Sequence, residues 1–417
     1  MELSKYSFGI GDRFGHQGAA QLCAIVKAKN LGLDITPVWN KSNREHNIIH
    51  TLQSDTRKAA DEAVNKLNWK NQYLVDADHI NMTNVDKFVD DSNFFTLDVA
   101  DYIGKMADDL QIETSIDQSR SLIGEIRIPG IEKPFIINEK ELEIITKKYY
   151  TSISEASKIY RHIESKKGKT NFVTEISIDE VTEPQTPVEF LIILALISHE
   201  NIPIQTIAPR FTGRFNKGVD YIGNISFFRK EFESFLLIID YSIKEFGLPE
   251  NLKLSIHSGS DKFSIYPAIK ELIKKYDKGI HVKTAGTTWL EEVIGLAMLG
   301  DRPLKLAKLF YRESLSRMDE LCAPYLQVID IDKNTLPSAN DVDKWSSDKF
   351  ANTLRHIPGN PDYNSSFRQL MHVGYKVAAE KKEEFYSYLL NYSDFIGQQV
   401  TENIFDRHIC RLFYLDQ

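Results

Sequence analysis

Three histidines in β-rich runs carry the first chemistry legible in this chain: His79 closing QYLVDADHI, His257 in LKLSIHSGS and His281 in IHVKTAGTT. Imidazoles from three separate strands can hold one divalent metal cation, of the zinc, manganese or nickel kind, and leave positions open for a ligand. His281 comes early in its run, so His356 and His372 further on are alternatives for the third position. The i, i+4 pair His46 and His50 has no HExxH glutamate beside it, and His162 lies in a charged helical stretch. Carboxylates accompany the histidines. Asp78 precedes His79, and Asp179-Glu180 close another β-rich run. An acid and a base on opposite sides of a metal-held carbinol are what proton transfer there requires. Asp179-Glu180 could instead cap the helix opened by VTEPQTPVEF, but Thr182 or Thr186 can do that and leave the carboxylates free. Asp76 is placed to orient a histidine ligand.

Cations and small residues suggest an anion site. Ser258-Gly259-Ser260 and Thr284-Ala285-Gly286-Thr287-Thr288 follow the last two β-rich runs, and Arg210, Lys262 and Lys283 could add positive charge. Backbone N–H groups in such loops cradle phosphate or carboxylate. Asp12, Arg13 and Ser258 complete the expected substrate contacts. The glycines of SFGIGDRFG are spaced Gly9-x-Gly11-xxx-Gly15, one residue too long for a dinucleotide fingerprint, and Asn40 stands where its acidic residue would be. No nucleotide cofactor is expected.

The elements that would position these groups are eight β-rich runs, each followed by helix-like spacing: YSFGIGD, DITPVWN, QYLVDADHI, FFTLDVA, NFVTEISIDE, IPIQTIAPRF, LKLSIHSGS and IHVKTAGTT. Strand–helix alternation means a parallel sheet with crossover helices, and eight repeats fit a closed TIM-like (β/α)8 barrel better than an open doubly wound sheet. The barrel is expected over 1–103 and 169–290. An inserted lobe is read at 104–168, and a helical C-terminal extension packed on the barrel at 291–417. The polar residues gather at the C-terminal ends of the runs, which converge on one mouth in such a barrel.

Composition narrows the function classes. The 417 residues are 42% hydrophobic, enough for a large core, and the net charge of −8 argues against nucleic acid as a partner. Cys23, Cys322 and Cys410 are too scattered for a disulfide framework or a cysteine zinc site. MELSKYSFGIGDRFG has no leader pattern, and the apolar run VEFLIILALISHE is too short for a bilayer span. The expectation is a cytoplasmic protein with no membrane partner, and a homo-oligomer stays open.

Six segments, FGIGDRFGHQGAAQL, YLVDADHI, SIDEVTEPQTPVEF, IAPRFTGRFNKGVDYIGN, LSIHSGSDKFSIYP and HVKTAGTTWLEE, together resemble the tagaturonate epimerase family along nearly the whole chain. The resemblance implies a barrel enzyme that uses a divalent metal to interconvert tagaturonate and fructuronate, with an anionic sugar acid as its partner. It implies Asp78 as proton acceptor, Glu180 as proton donor, and His79 and His257 as metal ligands, with His281 chosen as the third. The inverted carbinol in that pair is not adjacent to the ketone, so simple enolisation cannot invert it. Retro-aldol cleavage and re-addition can, and so can transient oxidation by a nicotinamide; the missing fingerprint favours the first. The competing readings are a class II-type aldolase or ketose epimerase for a related sugar or sugar phosphate, and a non-catalytic sugar-acid binder.

Overall fold

The computed structural model describes residues 1–284 and 286–414. In chain order the strands are β1 (Tyr6–Gly11), β2 (Thr36–Ser42), β3 (Leu74–Ile80), β4 (Phe94–Asp98), a short hairpin of β5 (Gly124–Ile126) and β6 (Phe135–Ile137), then β7 (Val173–Ile178), β8 (Thr206–Pro209), β9 (Lys253–Ile256) and β10 (Ile280–Lys283). All except the hairpin pair in parallel, and β1 bonds to both β2 and β10, which closes an eight-stranded barrel. Each β-rich run of the sequence supplies one barrel strand.

Two-residue alternation explains how these strands serve a core and a site together. One set of side chains, including Phe8, Val75, Phe95, Leu97, Ile176, Ile256 and Val282, joins the large core beneath the helices. The alternate set faces the barrel axis. At its lower end Val38, Leu74, Phe94 and Val173 pack with Leu3 as a small apolar plug. Two and four residues further along the same faces, the side chains turn polar: Asp76 and Asp78 after Leu74, Thr96 and Asp98 after Phe94, and Glu175 after Val173. The barrel is thus apolar at its base and charged at its C-terminal mouth.

Two helices depart from the expected boundaries. The 29-residue helix Glu139–Lys167 packs on β4 and on helix Pro187–His199, and its Leu142, Tyr149, Ile153 and Tyr160 belong to the main core. It is a ring helix of the barrel, so of the stretch 104–168 only the part before residue 139 is additional to the barrel. At the other seam, helix Thr287–Met298 turns away into a second core with Phe310, Tyr311, Phe367 and Phe385 of the C-terminal extension. Helix Ser393–Glu402 and the π-helical stretch Asn403–Tyr414 return to the barrel, both against helix Gly18–Asn30 and the latter also against Tyr266–Lys275. The end of the extension therefore fills the ring. No helix among the described residues is long and apolar enough to cross a membrane.

Candidate active site

The charged strand ends line a cavity of about 740 Å³. Its floor is Lys283, whose buried ammonium lies 2.8 Å from Asp76 Oδ2, 2.8 Å from Asp78 Oδ1 and 3.0 Å from Glu175 Oε1, and donates to Thr96. β1 makes room for it. A Cβ on Gly9 would stand 3.0 Å from Lys283 Cγ and 3.1 Å from its Cα, tighter than ordinary packing. Burial works against the charge on Asp78, but Lys283 and His79 outweigh it and hold the carboxyl well below the usual range. Asp76, deeper and crowded by Asp78 and Glu175, is pushed up to about 7 by burial despite Lys283.

Adjacent residues on a strand normally face opposite ways, yet Asp78 and His79 both line the cavity. The cause is local. The pairing of β3 with β4 slips between Ala77 and Ile80, and His79 adopts φ 54°. Such a bulge re-aims a side chain. Asp78 Oδ1 then lies 2.8 Å from His79 Nδ1, leaving Nε2 of the ring without a hydrogen-bond partner and 3.9 Å from Glu180. His257, at the end of β9, repeats the arrangement. Its Nε2 is 2.8 Å from the buried Glu175, and its Nδ1 faces Asp179 at 3.0 Å without the geometry of a hydrogen bond. The two rings are 5.1 Å apart.

His79, Asp179 and His257 each offer an atom within 4.8 Å of the others, and among the described residues they are the one grouping of histidine, cysteine or carboxylate ligands that could share an ion. The donor set fits a divalent cation. Each imidazole has a free nitrogen directed inward and a carboxylate fixing its other nitrogen, as metal-binding histidines require. Burial opposes charge on both rings, but the surrounding carboxylates prevail and raise His79 to about 10 and His257 to about 9. The cavity demands positive charge, which protons or a cation can supply.

The family model for tagaturonate epimerase matches residues 1–412. The chain belongs to the tagaturonate epimerase family. It is accordingly an enzyme, an isomerase of the carbohydrate-epimerase kind. It is similar to the tagaturonate/fructuronate epimerase of Thermotoga maritima, with 26% identity over 97% of this chain and 80% of that protein. The glycerol-complexed fructuronate-tagaturonate epimerase of Cohnella laeviribosi has the same fold, at TM-score 0.82 and 24% identity over 99% of this chain and 82% of that one. A probable tagatose 6-phosphate kinase from Sinorhizobium meliloti shares the fold more loosely, at TM-score 0.50 and 11% identity over 98% and 99% of the two chains.

Within this epimerase, Asp78, His79, Glu180, His257, Ser258, Lys283 and Arg13 all line the cavity. Other expected residues do not. His281 is absent from the metal grouping, and Asp179 stands there instead. Its ring is wholly buried one step below Lys283, with Nδ1 2.9 Å from Ser7 Oγ and the ring against Phe94, and burial pushes it down to about 3. Neither alternative replaces it: His372 bonds Arg13, and His356 lies 3.9 Å from Asp261. Asp12 accepts from the backbone N–H groups of Gly15 and Gln17 and so shapes the turn into the first helix. Arg210 donates to the carbonyl of Asp179, steadying the backbone behind that carboxylate. Lys262 is fully buried and gives its protons to the carbonyls of Asn216, Val219 and Ser260. Among the described residues of the two small-residue loops, Ser258 alone borders the cavity. Gly286 is pressed against Arg13 and His372, where a Cβ would meet atoms at 2.6 Å, and Ala285 lies outside the described residues. Asp76 orients Lys283 rather than a histidine.

Sequence reasoning missed Glu175, although a carboxylate inside the apolar run VTEISI was a signal. It also missed Arg44 and Lys217, and the segment Ala323–Val328 that forms the outer wall. These come from loops and from the extension, where no periodicity points to a site. Capping is as expected: Thr186 and Glu189 form the box at helix Pro187–His199, leaving Asp179 and Glu180 uncommitted to it.

Proposed function

We propose that this epimerase interconverts tagaturonate and fructuronate, and that His79, Asp179 and His257 hold a divalent cation for the reaction. The observation that carries the reading is the pair of inward imidazole nitrogens beside Asp179, each ring braced from behind by its own carboxylate. When bound, the cation supplies Lewis acidity that polarises the substrate ketone.

The chain's own groups account for the proton movements. Both contacts of Asp78 fall on Oδ1, so Oδ2 is left for the substrate. It takes the proton of the carbinol hydroxyl. The bond from that carbon to the neighbouring α-carbon breaks, its electron pair stays on the α-carbon, and the carbinol carbon becomes an aldehyde. The aldehyde turns its other face, the bond re-forms, and the new alkoxide receives a proton from Glu180. Glu180 is half-buried, lines the cavity and, among the described residues, makes no hydrogen bond that competes for this task. Lys283 keeps Asp78 ionised and fixed against β10.

Metal analysis of purified protein together with an epimerisation assay on tagaturonate tests the reading. Chelation should abolish turnover and added divalent metal should restore it. Stripped protein that keeps full activity sinks the metal assignment. Release of free three-carbon fragments as end products would mark an aldolase instead.

A further inference from the structure

Four cations line the cavity, and three of them are already engaged. Lys283 is held by Asp76, Asp78 and Glu175. Arg13 pairs with Glu45 at 2.9 Å, donates to the His372 carbonyl and lies 3.9 Å above the Tyr375 ring. Arg44 reaches the carbonyl of Pro324 from the exposed rim. Lys217 is different. Among the described residues its ammonium has no ion pair or hydrogen bond, and its one neighbour of note is the face of Tyr325 at 5.7 Å.

The turn that presents Lys217 is fixed on every side. Its own N–H donates to Val328 of the extension at 2.8 Å. The carbonyls of Asn216 and Val219 accept from buried Lys262 at 2.8 and 2.6 Å, and that of Gly218 accepts from buried Arg368 at 2.6 Å. Gly218 has φ 75°, a conformation that favours glycine. Burying an ammonium and a guanidinium beneath one surface turn is costly and leaves a rigid backbone under a single uncommitted cation. That cation shares the cavity with Asp78, Asp98, Asp101, Asp179 and Glu180, which would repel an anionic ligand from their own surfaces.

We propose that Lys217 holds the substrate's carboxylate and is the residue that selects acidic over neutral sugars. This rests on the sugar-acid reading above, and assigns the anion site to the loop after β8 and the extension, not to the loops after β9 and β10. A lysine is a point charge with rotatable donors, so it retains a carboxylate without fixing its plane. That suits a substrate whose far half must turn between bond cleavage and closure.

The test is calorimetric binding of tagaturonate and of the neutral ketose tagatose to metal-loaded protein, with turnover measured alongside. Wild type should prefer the acid. Lys217→Met should weaken tagaturonate binding by about 10- to 100-fold, the worth of a charge-assisted contact, and leave tagatose binding within about twofold. Lys217→Arg should keep most of the preference. The proposal is overturned if Lys217→Met binds tagaturonate as wild type does, if it loses both sugars equally, or if wild type shows no preference or binds neither sugar. A Lys217-dependent preference without epimerisation would leave this assignment standing and refute the proposed function.

Discussion

Two of the buried charge clusters among the described residues are built on opposite plans. At the seam between barrel and extension, Arg368 meets Asp261 at 2.7 Å and Arg407 meets Glu291 at 2.6 Å, with Asn403 also on Glu291. Acid and base are matched there, all four charged groups are buried, and none of the four lines the cavity at the mouth. At the mouth, Lys283 is the permanent cation among Asp76, Asp78, Glu175, Asp179 and Glu180, and of these Lys283, Asp78, Asp179 and Glu180 line the cavity. A matched, sealed network joins two cores. An unmatched, open one stores a demand for positive charge, which a ligand can meet. The excess, rather than the burial, separates the proposed catalytic region from the architectural one.

The sharpest way to break that contrast is at Lys283. Lys283→Met should lower turnover by more than about 10³-fold, because Asp78 loses its orienting cation. It should also cost about 3–5 kcal/mol in chemical denaturation, as uncompensated buried charges do. A variant as stable as wild type would show that the carboxylates of the mouth do not repel one another. Glu180→Gln should cut kcat by about 10²–10⁴-fold, the usual worth of a proton-transfer group, with stability unchanged because the side chain is only half-buried. Steady-state kinetics and thermal melting separate those effects. Arg407→Met tests the other cluster. It should cost about 3 kcal/mol while metal stoichiometry and kcat of the folded fraction stay at wild-type values. Loss of metal in that variant would erase the distinction between seam and mouth.

How much of this could be read from the sequence follows from the same division. The barrel was legible because period-two runs and helical spacing alternate eight times, and strand ends in such a fold converge by geometry. Asp78, His79, Glu180, His257 and Lys283 were therefore found from their places at those ends. What failed depended on facts that spacing does not encode. Asp78 and His79 were both named, but the bulge at Ala77–Ile80 that turns two adjacent residues to one cavity was not legible. Lys262 looked like a free cation in HSGSDKF, but its ammonium is turned beneath a different loop. Gly9, whose spacing had excluded a dinucleotide fingerprint without giving it another role, is the space that Lys283 fills. Arg44, Lys217 and the wall at 323–328 come together through the extension's return, a contact over distances along the chain that no local pattern reports.

His281 provides the smallest expected effect and the most discriminating one. It shares a strand face with Lys283, so sequence alone could not separate its role from that of a ligand. In the folded chain it bonds Ser7 one layer beneath the charged floor, and burial keeps it neutral, with a pKa near 3. A neutral ring under a cation neither feeds the charge demand of the mouth nor reaches its metal grouping. His281→Gln, which can keep a bond to Ser7, should cost about 1–2 kcal/mol, lower kcat less than about tenfold and leave metal content unchanged. A ligand would behave otherwise, since its loss should cost affinity for the cation directly. If metal stoichiometry in this variant falls with activity, the boundary between plug and site lies one layer deeper than the hydrogen bonds indicate, and Asp179 is not the third ligand.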